Sequence, residues 1–207
     1  MRLYAHLPLW IAATALGACS VLPKAESPDV YRLPATSLPH AQAPSSNWSL
    51  RINTPQAERM IDSSRIAVMP QGDLVSVYKG ARWSDTATTL LRNRLIDAFR
   101  DDGRAASVSS DDNALPASYT LAGDLRAFQS EYQGNAPVVV IRYDARLVQN
   151  SGLRVVATRR FDVTQPVGGT ALPQVVTAFG QASDTLASQV VAWTMQQSLT
   201  SPSAPTN

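Results

Sequence analysis

From Ala87 onward, apolar residues return every third or fourth position: Ala87, Leu90, Leu91, Leu95 and Ala98, with Phe99 beside them. That spacing draws one apolar stripe along a helix. Ser84 and Asp85 precede it as N-cap candidates, and Gly103 follows as a C-terminal stop. The pattern predicts an amphipathic helix over 85–101, with Arg92, Arg94, Asp97 and Arg100 on its polar side. A second stripe, Leu172, Val176, Phe179, Leu186, Val190 and Trp193, predicts a C-terminal helix over 172–199. Thr170 is its candidate N-cap, small residues lie at 182–183, and the stripe reads as core rather than as a binding face.

Alternation of period two marks the strands. Leu50 and Ile52 alternate with Arg51 and Asn53 until Pro55 ends the run. Arg65–Met69 predicts a strand, Pro70-Gln71-Gly72-Asp73 a turn, and Leu74–Tyr78 the returning arm of a hairpin. A short strand over 105–109 leads into a loop over 111–116. Three longer runs follow. Tyr119, Leu121, Gly123 and Leu125 share one face, as do Val139, Ile141, Tyr143, Ala145 and Leu147, opposed by Arg142, Asp144 and Arg146. Leu153, Val155, Ala157, Phe161 and Val163 make the third run. Turn residues at 133–135 and 150–152 join them into an antiparallel meander with one wet face.

Residues 20–47 carry Pro at 23, 28, 34, 39 and 44, which favours an extended tether and forbids a helix. Tyr31-Arg32-Leu33 interrupts it as a candidate edge strand. Pairing there would shorten the free tether to about ten residues, or roughly 30 Å.

Ahead of the tether, Arg2 is followed by an apolar run from Leu7 to Leu16 and then by Gly17-Ala18-Cys19. This is the layout of a secretory signal peptide, and Leu16-Gly17-Ala18-Cys19 resembles the lipobox of bacterial lipoproteins. The resemblance implies cleavage before Cys19 and a diacylglyceryl group on its thiol, with an acyl chain such as palmitate on the new amine. Neutral Ser20 at the next position implies delivery to the outer membrane, facing the periplasm. With its only cysteine acylated, the chain has no disulfide to lean on. The expected organisation is a signal peptide over 1–18, lipidated Cys19 and its tether over 19–47, one domain over 48–199, and a disordered tail over 200–207.

Composition narrows the function classes. Lys and Arg number 18 against 16 Asp and Glu, with no basic run, so no nucleic-acid footprint is present. Of the two His, His6 leaves with the signal and His40 lies in the Pro-rich segment. A Ser-His-Asp or Cys-His site therefore lacks a base, and a zinc site lacks ligands. No phosphate-binding glycine motif occurs, and Gly168-Gly169-Thr170 is too short to cradle a phosphate. Asp101-Asp102 and Asp111-Asp112 read as solvated surface rather than as acid–base pairs. The expectation is a protein that is not an enzyme, with no metal and no cofactor beyond the lipid on Cys19.

One block carries a family resemblance. Leu50-Arg51-Ile52-Asn53-Thr54-Pro55 is followed by Ser64-Arg65-Ile66-Ala67-Val68, then by Ala81-Arg82-Trp83-Ser84-Asp85 and Leu90-Leu91. With Tyr31-Arg32-Leu33 upstream and Trp193 in the last helix, this resembles the ABC-type transport auxiliary lipoproteins, whose members include the paraquat-inducible protein C lipoproteins. The resemblance implies an α/β fold: a mixed, largely antiparallel sheet with helices 85–101 and 172–199 packed on it, similar to the N-terminal domain of TolB. It also implies partners: an MCE-domain (mammalian cell entry) protein, a permease and an ATPase that together move lipids or other hydrophobic molecules between membranes. A homo-oligomer stays open. Arg82 and Trp83 are the candidate partner contacts; the alternative has Trp83 capping the core before Ser84 and Arg82 solvated beside it, and this packing alternative weighs more. Two other classes also stay open: an independent lipid-binding carrier, which needs an apolar pocket, and an outer-membrane assembly lipoprotein.

Overall fold

Strand β7 (Tyr119–Gln133) is the spine of a nine-stranded mixed sheet. The computed structural model describes residues 27–41, 47–113, 115–134 and 136–200. The signal peptide read over 1–18, Cys19, parts of the tether and the tail beyond Thr200 lie outside them.

Along one edge of β7 runs antiparallel β8 (Ala136–Gln149), which carries antiparallel β9 (Arg154–Pro166). Along the other edge three short strands dock in series, all parallel. These are β2 (Ser49–Ile52) at Tyr119–Leu121, β3 (Gln56–Ala57) at Asp124–Leu125, and β4 (Arg65–Gln71) at Ser130–Glu131. Beyond them the sheet splits into two arms. β6 (Ser107–Ser110) adds parallel to β2. β5 (Leu74–Trp83) adds antiparallel to β4, and β1 (Asp29–Tyr31) adds parallel to β5. The long ladders are the antiparallel ones, as the meander predicts; the short N-terminal strands join it in parallel.

Two bulges reset which side chains face the core. Leu125 pairs with Tyr143 but Ala127 with Arg142, so Arg126 is the extra residue. Ala127 is thereby turned to the outer face and Phe128 to the inner one. In β9 the pairs Leu147–Ala157 and Val148–Val155 leave Val156 as the extra residue. Val155 thus falls on the outer face, and with Leu153 at the hairpin tip it is exposed, although strict alternation had placed both on the core side.

Helix α1 (Ala87–Asp102) starts two residues later than the sequence predicts. Its N-cap is Thr86, whose hydroxyl accepts from the Thr89 N–H, while Asp85 accepts from the Thr86 N–H. Gly103, at φ 75°, ends it by donating its N–H to the Phe99 carbonyl. Helix α2 (Leu172–Thr200) is capped from Ala171 rather than Thr170. The Gln174 side chain reaches back to accept the Ala171 N–H, half of a capping box. Both helices share one core with the inner sheet face, through Leu91, Leu95 and Phe99 on α1 and Phe179, Leu186 and Val190 on α2. No helix among the described residues is long and apolar enough to cross a membrane.

Part of the segment read as a tether belongs to the fold, over 29–41, and the candidate edge strand at Tyr31-Arg32-Leu33 forms two residues earlier as β1. β1 pairs with β5, Tyr31 accepts from the Ser84 N–H, and Tyr31, Leu33 and Leu38 pack against the core. Pro34 lies on Gly180 of α2 so closely that a Cβ at 180 would stand 2.8 Å from it. Only a residue without a side chain lets the strap cross the helix there.

Candidate functional site

The two partner-contact candidates part company in the structure. β5 ends at Trp83, and neighbouring strand residues point to opposite faces. Trp83 points inward and is 0% exposed. Its ring stands edge-on to Phe179 of α2 at 5.1 Å and to Phe128 of β7 at 6.1 Å, and those two phenyl rings are 4.9 Å apart. The cluster therefore joins β5, the sheet's spine and the last helix. Trp83 presents no surface to a partner, so its packing reading is the one the geometry carries. Its indole Nε1 has no hydrogen-bond partner among the described residues. The indole thus contributes packing alone.

Arg82 points outward and is exposed. Across the ladder it faces Val30 of β1 on one side and Arg65 of β4 on the other. Directly opposed like charges disfavour the pairing, and no acidic side chain neutralises Arg82 among the hydrogen bonds and ion pairs of the described residues: its guanidinium donates only to the Trp83 carbonyl, at 3.4 Å. Two guanidinium groups on one rim leave positive charge available to an acidic partner surface.

Arg92 and Arg94, expected on the polar side of α1, are buried because each has found a partner far along the chain. Arg94, 3% exposed, donates from Nε to Asp184 of α2 at 2.6 Å and from Nη2 to the Thr36 carbonyl at 2.7 Å. Asp184 in turn accepts the Thr36 N–H at 3.1 Å. The strap is further held by Asp101, which accepts the Leu38 N–H at 2.9 Å, and by the Asp102 carbonyl, which accepts the Ala41 N–H at 3.0 Å. Arg92 binds Asp111, Asp112 and the Thr54 hydroxyl, so the Asp111-Asp112 pair, exposed as the sequence predicts, also fastens α1. Burial works to raise the Asp111 pKa, but the Thr54 N–H and Arg92 outweigh it and hold the carboxyl below its ordinary value.

The outer face of β7–β9 carries a ladder of opposite charges. Asp124 binds Arg146, Asp144 binds Arg160 and Arg126, and Arg142 binds Asp162. The hydrogen bonds from Arg160 hold the Asp144 carboxyl down from 3.8 to about 2, against a smaller effect of burial. A carboxyl depressed in the folded state stabilises the fold above its unfolded pKa, and that contribution fades as pH falls from about 4 toward 2. The ladder is largely solvated, so the effect is about 1 kcal/mol at most. Asp144→Asn should flatten the change in urea midpoint between about pH 5 and about pH 2.5; a slope equal to that of the unmodified chain would refute this account of the ladder.

Cys19 lies outside the described residues, so the structure brings no anchor to Arg82 or Trp83. The residues that sequence reasoning missed are Arg94, Asp184 and the part of the strap they hold at Thr36, beyond the candidate edge strand. A charged side chain on the helix side of an apolar stripe gives no local sign of burial; Gly180 beside the small residues at 182–183 was the one hint of a close crossing.

Comparison with known proteins gives a consistent picture. The sequence profile described as the ABC-type transport auxiliary lipoprotein component matches residues 31–191, from the strap through most of α2. The crystal structure of protein XCC0632 from Xanthomonas campestris, of the DUF330 family, superposes with a TM-score of 0.76 at 34% identity, covering 82% of this chain and 96% of that one. The protein CT253 from Chlamydia trachomatis shares the fold, with a TM-score of 0.51 at 9% identity over 73% of this chain and 96% of that one. A protein of Bradyrhizobium diazoefficiens, bll6063, is 29% identical over 147 residues, which is 71% of this chain. The chain spans 39% of the length of that relative.

Proposed function

Because the chain belongs to the ABC-type transport auxiliary lipoprotein family, we propose that it is a lipid-anchored, non-catalytic subunit working beside an MCE-domain protein, a permease and an ATPase. In this reading the system moves lipids or other hydrophobic molecules between the inner and outer membranes. Cys19 carries the anchor in the outer membrane, and the domain stands in the periplasm. The observation that carries the reading is the family match from the strap to α2. The clefts add support against an independent carrier. One of about 340 Å³ beside α1 is lined by Arg92, Asp97, Arg100 and Asp112, and one of about 400 Å³ at the β8–β9 edge by Asp144, Arg146, Arg159 and Arg160. Charged walls do not suit an acyl chain.

Two replacements test the parts. Cys19→Ala should abolish incorporation of an alkyne fatty acid and release the protein from the membrane fraction, because acyl chains hold a protein stably where a soluble domain has none. Equal labelling of both forms would sink the anchor. Arg82→Glu should weaken binding to the MCE-domain partner about tenfold or more, or about 1.4 kcal/mol, by reversing the charge on the basic rim. Its melting temperature should hold or rise slightly, since a Glu opposite Arg65 replaces repulsion with attraction. Titration and thermal melts of one preparation check both, and unchanged affinity would remove Arg82 from the contact. A chain that binds no MCE-domain protein but co-purifies with lipid would favour the independent carrier.

A further inference from the structure

The outer part of the β4–β5 ribbon stands clear of the fold. Residues 70–76 are all exposed, and Gly72-Asp73 closes the ribbon with Gly72 at φ 50° in the first turn position, as a tight two-residue connection requires. At its end Leu74 is 61% and Val75 45% exposed. Being successive strand residues, they leave opposite sides of the ribbon. Neither belongs to the core clusters, whereas Val77 and Tyr78 already lie closer in.

The strap gives this end of the molecule a direction. β1 runs parallel to β5 with Asp29 opposite Ala81, so its N-terminal end points along β5 toward Leu74. From Ala81 back to Leu74 is seven strand steps, about 23 Å. From Asp29 back to Cys19 is ten Cα steps, at most about 35 Å. An acylated Cys19 therefore cannot hold the domain off the bilayer by more than about 12 Å beyond the ribbon's own length, and once the segment spans about 12 Å less than full extension the ribbon tip can reach the lipid surface. Leu153, 80% exposed, lies at the other end of the sheet: β7 runs from Tyr119, paired with Gln149 near that hairpin, to Ser130 and Glu131, paired with Val68 and Met69 near the ribbon.

We propose that Leu74 and Val75 at the tip of the β4–β5 ribbon form a second contact with the lipid surface that holds the anchor, so that the domain stands with this end against the membrane and the β8–β9 hairpin facing away. The inference rests on acylation of Cys19 as proposed above. Leu and Val gain by leaving water for the boundary between headgroups and acyl chains. Asp73 in the turn keeps the insertion shallow, because a carboxylate stays with the headgroups. Exposed Lys79 further back can lay its stem along the ribbon and its amine on a lipid phosphate. The basic rim at Arg65 and Arg82 stays clear of the tip for a protein partner.

The test uses the full chain, expressed with its own signal and reconstituted into vesicles of phosphatidylethanolamine and phosphatidylglycerol. Cys19 is the only cysteine, so Leu74→Cys and Leu153→Cys each supply one site for a nitroxide. Both positions are exposed, and circular dichroism confirms that the fold is kept. Intact mass of the same sample reports acylation. The expected result is a label at position 74 that collides several-fold more with oxygen, relative to a water-soluble nickel complex, than the label at position 153. If the protein is acylated and the label at 74 is as water-exposed as that at 153, the ribbon contact is overturned while the anchor stands; a tip meant for a protein partner, which these vesicles lack, would give this result. Shielding of both labels would overturn the upright orientation. If the mass shows no acyl groups, the anchor reading fails and this proposal with it.

Discussion

Trp83→Ala is expected to lower stability by about 3–5 kcal/mol, because it empties a fully buried aromatic site and leaves a cavity that Phe128 and Phe179 can only partly fill. A domain of this size has about 5–15 kcal/mol in all, so the variant stands near the edge of folding. Trp83→Phe should cost much less, about 1–2 kcal/mol, since the indole N–H has no partner among the described residues and an aromatic ring is kept. Urea midpoints at constant slope measure both. A residue held chiefly for partner contact would behave differently: the alanine form would keep its midpoint and lose affinity. A shift below about 1 kcal/mol would place Trp83 outside the core it occupies here.

Asp184→Ala should be comparably severe. It strips the carboxylate from Arg94, which then stays buried with its charge uncompensated, and it removes the acceptor of the Thr36 N–H. Breaking one side of a buried ion pair costs about 3–5 kcal/mol. The loss should have a local signature, because the same residue fastens the strap across both helices. Amide hydrogen exchange at Thr36 and Leu38 should quicken before the sheet does. Removing the charge as well, with Arg94→Leu beside Asp184→Ala, should restore most of the global stability but leave the strap loose. A single variant with an unchanged midpoint would mean that Arg94 reaches solvent and needs no partner. Equal exchange at 36 and 38 in all forms would mean that β1 and the packed Leu33 and Leu38 alone hold the strap.

What could be read in the sequence was what is periodic. The stripes from Ala87 to Phe99 and from Val176 to Trp193 predict α1 and α2, because a helix repeats its buried face every 3.6 residues wherever it sits. The alternation at Leu121–Leu125 and Val139–Leu147 predicts β7 and β8 with their inner faces, for the same local reason. The Leu16-Gly17-Ala18-Cys19 motif and the Ala81-Arg82-Trp83-Ser84 block point to a family without any coordinates. Three-dimensional structure decided what depends on a second segment. Alternation alone does not reveal the extra residues at Arg126 and Val156, so the exposed Val155 and the buried Phe128 follow from pairing register, not from spacing. The parallel docking of β2, β3 and β4 on one edge of β7 is set by contacts between residues some seventy positions apart. The fate of a polar side chain is likewise decided elsewhere: Arg94 reads as surface until Asp184, 90 residues on, and the Thr36 carbonyl of the strap make its burial affordable. Periodicity is written into the local chain, whereas the desolvation of a charge depends on which distant groups the fold brings beside it.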